Sequence, residues 1–221
     1  MKDPLHILTP FQVKVLGALG KERLLKDFYL TGGTALSAFY FHHRLSDDLD
    51  FFTEVPQGVA HIPPLIRRVA KSLKARIALG RRFETLFECS FVYGKNERLE
   101  MDFALDMPGR LKPVLKEPQF KIGLDNLLDI SCNKLSALYE RADAKDFVDI
   151  FFIHRDYLSL PQLIRKARKK YPELDDYGLA MAFFKIKGVT HWPKMKKPLN
   201  VEKLRDFFLD HAARLSKDFT Q

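Results

Sequence analysis

The chain has 221 residues, 46% of them hydrophobic and 29% charged, a balance that excludes a disordered polypeptide and suffices for one full core plus a small second subdomain. Its apolar runs are interrupted well before the roughly 20 residues that a bilayer span needs, and MKDPLHILTP lacks the regions of a signal peptide, so the expectation is a cytoplasmic protein without membrane association. The formal charge of +9 is uneven: Pro161 to Gln221 holds 14 Lys and Arg against 7 Asp and Glu, which favours a polyanionic partner, nucleic acid or an acidic protein, although a solvated helical surface would carry the same charges.

From Thr9 to Leu25, apolar residues at Phe11, Val15, Leu16, Leu19 and Leu24 keep near-helical spacing, with Thr9 as N-cap and Pro10 in the first turn. Phe28 to Leu30 is β-prone and meets Gly32-Gly33, after which Thr34 to His43 has helical spacing and no breaker. That is strand, tight turn, helix. Asp48 to Thr53 alternates polar and apolar and reads as a second strand, and Pro63 to Leu79 as a basic amphipathic helix with Ile66, Val69, Ala70 and Leu73 on one side. Arg81 to Tyr93 and Arg98 to Met107 are strand-like runs joined by the polar Gly94-Lys95-Asn96-Glu97, hence a hairpin. Pro108 to Pro118, with three prolines and a glycine, is a loop or edge segment. Helical periodicity then covers Asp125 to Leu138, Asp143 to Phe152, Pro161 to Lys170 and Val201 to Leu215. Strands first and helices after predict an α+β protein, a mixed-sheet core over residues 1–120 and a helical C-terminal lobe over 121–221. Cys89 and Cys132 sit far apart in apolar segments and read as buried thiols, not as a disulfide or zinc ligands.

The densest chemical signal is TGGTALSAFYFHHRLSDDLDFF, Thr31 to Phe52. Asp48 and Asp50 are separated by one residue of a strand, so both carboxylates leave the same face about 6.5 Å apart, while Leu49 and Phe51 face the core. Carboxylate oxygens are the hard ligands that Mg²⁺ prefers, and one or two of them plus triphosphate oxygens commonly hold it in phosphoryl transfer. Gly32-Gly33 ends a strand and opens a helix, so the backbone can approach a phosphate and offer N–H groups, with Thr34 adding a hydroxyl. A Gly-Gly pair alone is more often a turn, and an isolated Asp-x-Asp more often a solvated strand face. Their combination in one strand–turn–helix–strand unit is far more specific. A third carboxylate is expected from Arg98 to Met107, where Asp102 is central, as general base or metal ligand, with Asp106 in reserve.

These residues resemble the AbiEii/AbiGii-type toxins of the DNA polymerase β-like nucleotidyltransferase superfamily. The pattern is GGTAL, then HR, then S-x-D-[IL]-D-[LF]-F; this chain supplies Gly32 to Leu36, then His43 and Arg44, then Ser46, Asp48, Leu49, Asp50, Phe51 and Phe52. The resemblance extends to Asp102, and to Lys134, Arg141, Asp146 and Asp149, which match a Lys, an Arg seven residues on, and a D-x-x-D in the next helix. It implies a nucleotidyltransferase-like fold and transfer of a nucleoside monophosphate from an NTP, frequently by the toxin of a toxin–antitoxin pair. It further implies Asp48, Asp50 and Asp102 as Mg²⁺ ligands and catalytic groups, and Lys134 as a catalytic cation at the triphosphate. Gly32, Gly33, Thr34, Arg44, Ser46 and Arg141 are then the nucleotide-binding residues. Two helical turns put Lys134 and Arg141 on one face, able to meet phosphate together; the same residues could equally form a salt-bridged helix pair, Arg141 with Asp146. The acceptor expected from the basic C-terminal quarter is RNA, tRNA first, with Arg165-Lys166, Arg168-Lys169-Lys170 and Lys194 to Lys197 on phosphate and Tyr171 and Trp192 able to stack on bases. A cognate antitoxin would be drawn by the same charges.

Other classes fare worse. Gly20-Lys21 is followed by Glu22, so no phosphate-binding P-loop of the Walker type exists, and neither a GxSxG elbow nor a Cys–His nucleophile signature is present. The rival from a different class is a binding module for nucleic acid or protein that keeps the fold without turnover; the three acidic positions argue against it.

Overall fold

The computed structural model describes residues 3–95 and 97–216. Asn96, in the middle of the expected hairpin connection, and Lys217 to Gln221 lie outside the described residues. The chain divides into two compact units, Met1–Leu127 and Leu128–Gln221.

The first unit is built on a seven-stranded mixed sheet. In chain order its strands are β1 (Tyr29–Thr31), β2 (Asp48–Thr53), β3 (Arg76–Arg82), β4 (Leu86–Tyr93), β5 (Glu97–Leu105), β6 (Leu115–Glu117) and β7 (Ile122–Leu124), and across the sheet they run β3-β4-β5-β2-β1-β7-β6. The pairs β2–β5 and β1–β7 are parallel and the rest antiparallel. Alternation along β2 and β5 buries Leu49, Phe51, Leu99, Met101 and Phe103 on one face, where Phe51 and Phe103 stack with ring centroids 5.3 Å apart. Helix α1 (Pro10–Leu19) packs on β5 and on α3 (Ile62–Leu73), which in turn packs on β3 and β4. Burial of each Phe side chain there contributes about 1.5–3 kcal/mol. The polar residues of β2 and β5 are left on the opposite face.

Local chemistry explains the ends of these elements. Thr9 and Gln12 form a reciprocal capping box with Pro10 in the first turn of α1. The helix stops at Leu19, short of the expected Leu25, where a separate 3₁₀ turn covers Arg23–Asp27; Gly20 between them lies so close to the Phe120 carbonyl that no side chain fits there. Helix α3 is likewise shorter than its pattern, Pro63 to Leu79: Lys74 adopts φ 54° and stops it, and Arg76 to Arg82 pairs with β4 instead. The run from Arg81 to Tyr93 is therefore two strands joined at Phe83 to Thr85. Short strands β6 and β7 occupy the proline-rich region and the residues just beyond it, β7 completing the sheet beside β1. Between β1 and β2 lies α2 (Gly32–Ala35), continued by a π-helical turn, Leu36–Phe41, that ends with His42 at φ 56°.

The second unit is helical: α4 (Leu127–Glu140), α5 (Ala144–Asp156), α6 (Leu160–Lys170), α7 (Asp176–Phe184) and α8 (Val201–Ser216). Its core includes Phe147, Phe183 and Phe208, with the rings of Phe147 and Phe208 edge to face at 4.9 Å. Helix α7 has no apolar stripe in its sequence, being apolar nearly all round, and escapes a search for amphipathic periodicity. Both cysteines are free and buried. Among the described residues no helix is long and apolar enough to cross a membrane.

Candidate active site

The parallel register of β2 and β5 sets Asp50 directly opposite Asp102 and Asp48 opposite Glu100. Directly paired residues leave a sheet on the same side, with strands about 4.8 Å apart. Antiparallel β4 adds Glu88 opposite Asp102, and β1 adds Thr31 opposite Asp50. One polar row thus runs Thr31, Asp50, Asp102, Glu88 across four strands. Asp106, the reserve candidate, is not in it: its residue lies past the end of β5, is buried, and its carboxylate accepts a hydrogen bond from the Tyr29 hydroxyl. Register therefore places Asp102, and not Asp106, in the row with Asp50.

Asp102 is half-buried, and its carboxyl is raised to about 6, first by desolvation and then by the negative charges of Glu88, Asp48 and Glu100, against the opposing pull of Arg81. Glu88 goes the other way: hydrogen bonds from Arg81 hold its carboxyl below the usual range. Burial, with Asp102 adding to it, pushes the Cys89 thiol up to about 12, so it remains a neutral apolar filler behind the row.

The glycine turn is built around the carboxylates. Gly32 has φ +69°, and a Cβ there would overlap the Asp50 carboxylate; a Cβ on Gly33 would come within 2.7 Å of both Arg44 Nη2 and Ser46 Oγ. The protein's own side chains press on both residues, which is a reason for glycine at both positions independent of any ligand. Thr34 is fully buried and donates its hydroxyl to the Asp48 carbonyl, which ties the helix to β2 and commits the hydroxyl that the sequence offered to phosphate. Ser46 Oγ donates to Asp48 Oδ1 at 3.0 Å. Arg44 is buried and bonds the Leu45 carbonyl at 2.8 Å. The block from Gly32 to Asp50 is therefore one connected support for two aspartates.

Behind Thr31 a second polar group fastens the turn. Thr31 donates to Asp125 at 2.7 Å, Arg110 pairs with Asp125 at 2.9 Å and lies over the Tyr29 ring, and Tyr40 donates to the Asp125 carbonyl at 2.6 Å. Neither this group nor Glu88 stands out in the sequence. The alternation of Leu86 to Phe91 does put Glu88 on the polar side of its strand, but its neighbour across the strand pair is a matter of register.

In the helical unit Lys134, Arg141, Asp146 and Asp149 do come together. Lys134 Nζ lies 2.8 Å from Asp149 and 3.8 Å from Asp146, and Arg141 makes two bonds to Asp146, at 2.8 and 2.9 Å. Both aspartates are fully buried and Lys134 nearly so, whereas Arg141 is 46% exposed. This is the salt-bridged helix pair that the spacing allowed. Of the basic clusters, Arg168 pairs with Asp176, and Lys170 is buried at 3.5 Å from Asp129; Arg165, Lys166, Lys169, Lys194 and Lys196 are exposed.

The model of the nucleotidyl transferase AbiEii toxin family, of type IV toxin–antitoxin systems, matches residues 14–220. The chain belongs to the AbiEii nucleotidyltransferase toxin family. An uncharacterized protein of Aquifex aeolicus is 31% identical over 157 residues, 69% of this chain and 70% of that protein. Three solved structures share the fold. JHP933 from Helicobacter pylori has a TM-score of 0.60 at 17% identity, covering 94% of this chain and 89% of its own. A structure titled a putative nucleotidyltransferase from H. pylori gives 0.61 at 16%, covering 94% and 92%. MenT4, a nucleotidyltransferase toxin of Mycobacterium tuberculosis, gives 0.54 at 13%, covering 94% and 82%. The α+β nucleotidyltransferase-like fold expected from the AbiEii motifs is the one observed.

Proposed function

We propose that this chain transfers a nucleoside monophosphate from an NTP to an acceptor hydroxyl, releasing pyrophosphate, as the toxin of a toxin–antitoxin pair. The observation that carries the reading is the register that lines up Asp50 and Asp102, with Asp48 on the same face, next to a glycine turn that the same motif supports. Mg²⁺ fits the donor set: Asp48, Asp50 and Asp102 offer only hard oxygen ligands, and a dication relieves the repulsion that raises Asp102. Among the described residues no three such side chains are already closed around an ion-sized point. When bound, the ion would neutralise charge on the triphosphate and the transition state.

The chain's own groups divide the remaining work. Ser46 fixes the Asp48 carboxylate, Thr34 fixes the backbone of Asp48, and Gly32 lets the turn lie against Asp50. Asp102, at the centre of the carboxylate row, receives the hydroxyl proton as the acceptor oxygen bonds to the α-phosphorus and the bond to pyrophosphate breaks. The Gly32-Gly33 backbone is the nucleotide contact of the first unit, with the buried Arg44 supporting it from beneath Gly33; in the second unit the family resemblance gives Lys134 and Arg141 a phosphate-binding role. RNA, tRNA first, is the acceptor in this reading, supported by the exposed cations Arg165, Lys166, Lys169, Lys194 and Lys196. A cognate antitoxin is the protein partner that family membership implies.

The test is incubation of the protein with Mg²⁺, each α-labelled NTP and total RNA or total protein. Label should enter RNA with release of pyrophosphate, and should not do so with Asp50→Ala. RNA binding without any Mg²⁺-dependent NTP binding would instead establish a silent binding module.

A further inference from the structure

The carboxylate row has two ends, and they differ. At one end Asp50 abuts Thr31 and the Gly32-Gly33 turn; at the other, beyond Asp102, Glu88 on β4 adjoins the edge strand β3. Beside that second end is a recess of about 320 Å³, lined among others by Arg81, Glu88, Ser90, Arg98, Glu100 and Asp102. A volume near 300 Å³ is at the small end of the range for single-ligand sites. We propose that this recess is the acceptor subsite: it takes the terminal nucleotide of a nucleic-acid strand, with its hydroxyl at Asp102 and its phosphodiester at Arg81 and Arg98, while Glu88 is a positioning residue for Arg81. The inference rests on the nucleotidyl-transfer reading above, which puts the triphosphate at the glycine end.

Local structure builds the recess. The register of β3 against β4 shifts between Leu79 and Arg82, and within that irregularity Gly80 lies so close to β4 that a Cβ would come within 2.8 Å of the Glu88 Cβ. Arg81 then closes over Glu88, donating from its backbone N–H at 3.1 Å and from Nε at 2.9 Å to both carboxylate oxygens, with Nη2 joining in. An arginine held in this way still leaves 70% of its side chain exposed. Arg98, on the same face of β5 as Glu100 and Asp102, pairs with Glu100 at 3.3 Å and is 58% exposed, so a phosphodiester competes there with an exposed carboxylate. In-line displacement needs the attacking hydroxyl on the side of the α-phosphorus away from the leaving pyrophosphate. Asp102 stands between the two ends of the row, which is where a group receiving that hydroxyl's proton belongs.

The surroundings favour nucleic acid over a protein side chain. Arg76 on β3 and Arg98 on β5 share one register row through Val92, on the same side of the sheet as Ser90 and Glu100, so a second exposed cation stands near the recess. Leu79, which also lines the recess, is 72% exposed and offers apolar surface to a base beside these cations. A protein hydroxyl would need no such row of cations.

The experiment measures binding of a fluorescent single-stranded RNA with a free 3′-hydroxyl to the full chain at two salt concentrations, alongside KM for RNA and for NTP. The double variant R81Q/R98Q should weaken RNA binding roughly tenfold or more and flatten the slope of log K against log salt by about 1.4, from two contacts at about 0.7 each, with Mg²⁺-dependent NTP binding unchanged. R98Q alone, at an exposed site, should show half of that change in slope whether or not the double variant folds. E88Q should raise KM for RNA more than it lowers kcat. Wild-type protein that does not bind the RNA, variants that bind it as wild type does, or label that goes to a protein hydroxyl would each overturn the subsite. Should the variants lose RNA binding as expected while no nucleotide is ever incorporated, the subsite stands and the transferase reading falls.

Discussion

Two regions of this molecule use the same residue types to opposite ends. On the polar face of the sheet Asp48, Asp50, Glu100 and Asp102 share adjacent register positions, and partial burial, followed by the negative charges of Glu88, Asp48 and Glu100, raises Asp102 to about 6. In the helical unit Asp129, Asp146 and Asp149 are fully buried, and each is matched by a cation, Lys170, Arg141 with Lys134, and Lys134 respectively. Buried carboxylates with counter-charges in place hold helices together. Carboxylates crowded against one another are held at a cost in stability, and that arrangement marks chemistry more reliably than the presence of acidic residues does.

The sharpest way to break the comparison is to remove a charge from each region. Asp50→Ala should abolish nucleotidyl transfer by about three orders of magnitude or more with the fold intact, as judged by circular dichroism and thermal melting. Full activity in this variant would remove the sheet face from the mechanism. In the helical unit, Lys134→Ala strands Asp149 without its close cation and should lower unfolding free energy by about 3–5 kcal/mol in urea titration. Replacing the pair together, Lys134→Met with Asp149→Leu, should recover most of that stability. If turnover returns as well, the lysine is architectural; if stability returns and turnover does not, it also serves phosphate.

A smaller effect is expected at the glycine turn. Gly33→Val displaces Arg44 and Ser46 and through Ser46 loosens Asp48, so NTP binding by calorimetry should weaken by roughly an order of magnitude or more while the melting temperature changes modestly. NTP affinity equal to wild type would reduce Gly33 to a turn residue. The smallest effect concerns stability of the metal-free protein. The folded state holds the Asp102 proton more tightly than the unfolded chain does, so this residue lowers stability as pH rises from about 4 through about 6, and the loss persists above that. Asp102→Asn should therefore melt higher than wild type at pH 8 in chelator, and the gain should vanish below about pH 4. Equal melting temperatures at pH 8 would show that burial and the neighbouring carboxylates do not raise Asp102.

Much of this was legible in the residues themselves. Strand β2 was bounded at Asp48 and Thr53 by alternation alone, and the helices from Leu127 to Glu140, Ala144 to Asp156, Leu160 to Lys170 and Val201 to Ser216 followed apolar periodicity to within a few residues. Period-2 and period-3.6 patterns are local, so the sequence by itself determined which side of each element is apolar and that Asp48 and Asp50 share a face. The Gly-Gly, His-Arg and Asp-x-Asp motifs likewise determined the family.

Only the tertiary structure decided which strands are neighbours, and the site depends on that. No local signal distinguishes Asp102 from Asp106; the parallel register of β5 against β2 does, and the Tyr29 hydroxyl takes up the one left over. Glu88 acquires its place only because β4 pairs with β5, and Arg81 only because Gly80 lets β3 approach it. The identity of each cation's partner is equally non-local: Lys170, read as surface charge, is buried against Asp129, 41 residues away. Periodicity reports what each residue faces, whereas electrostatics depends on what stands opposite, and that is set when strands and helices from distant parts of the chain are brought into register.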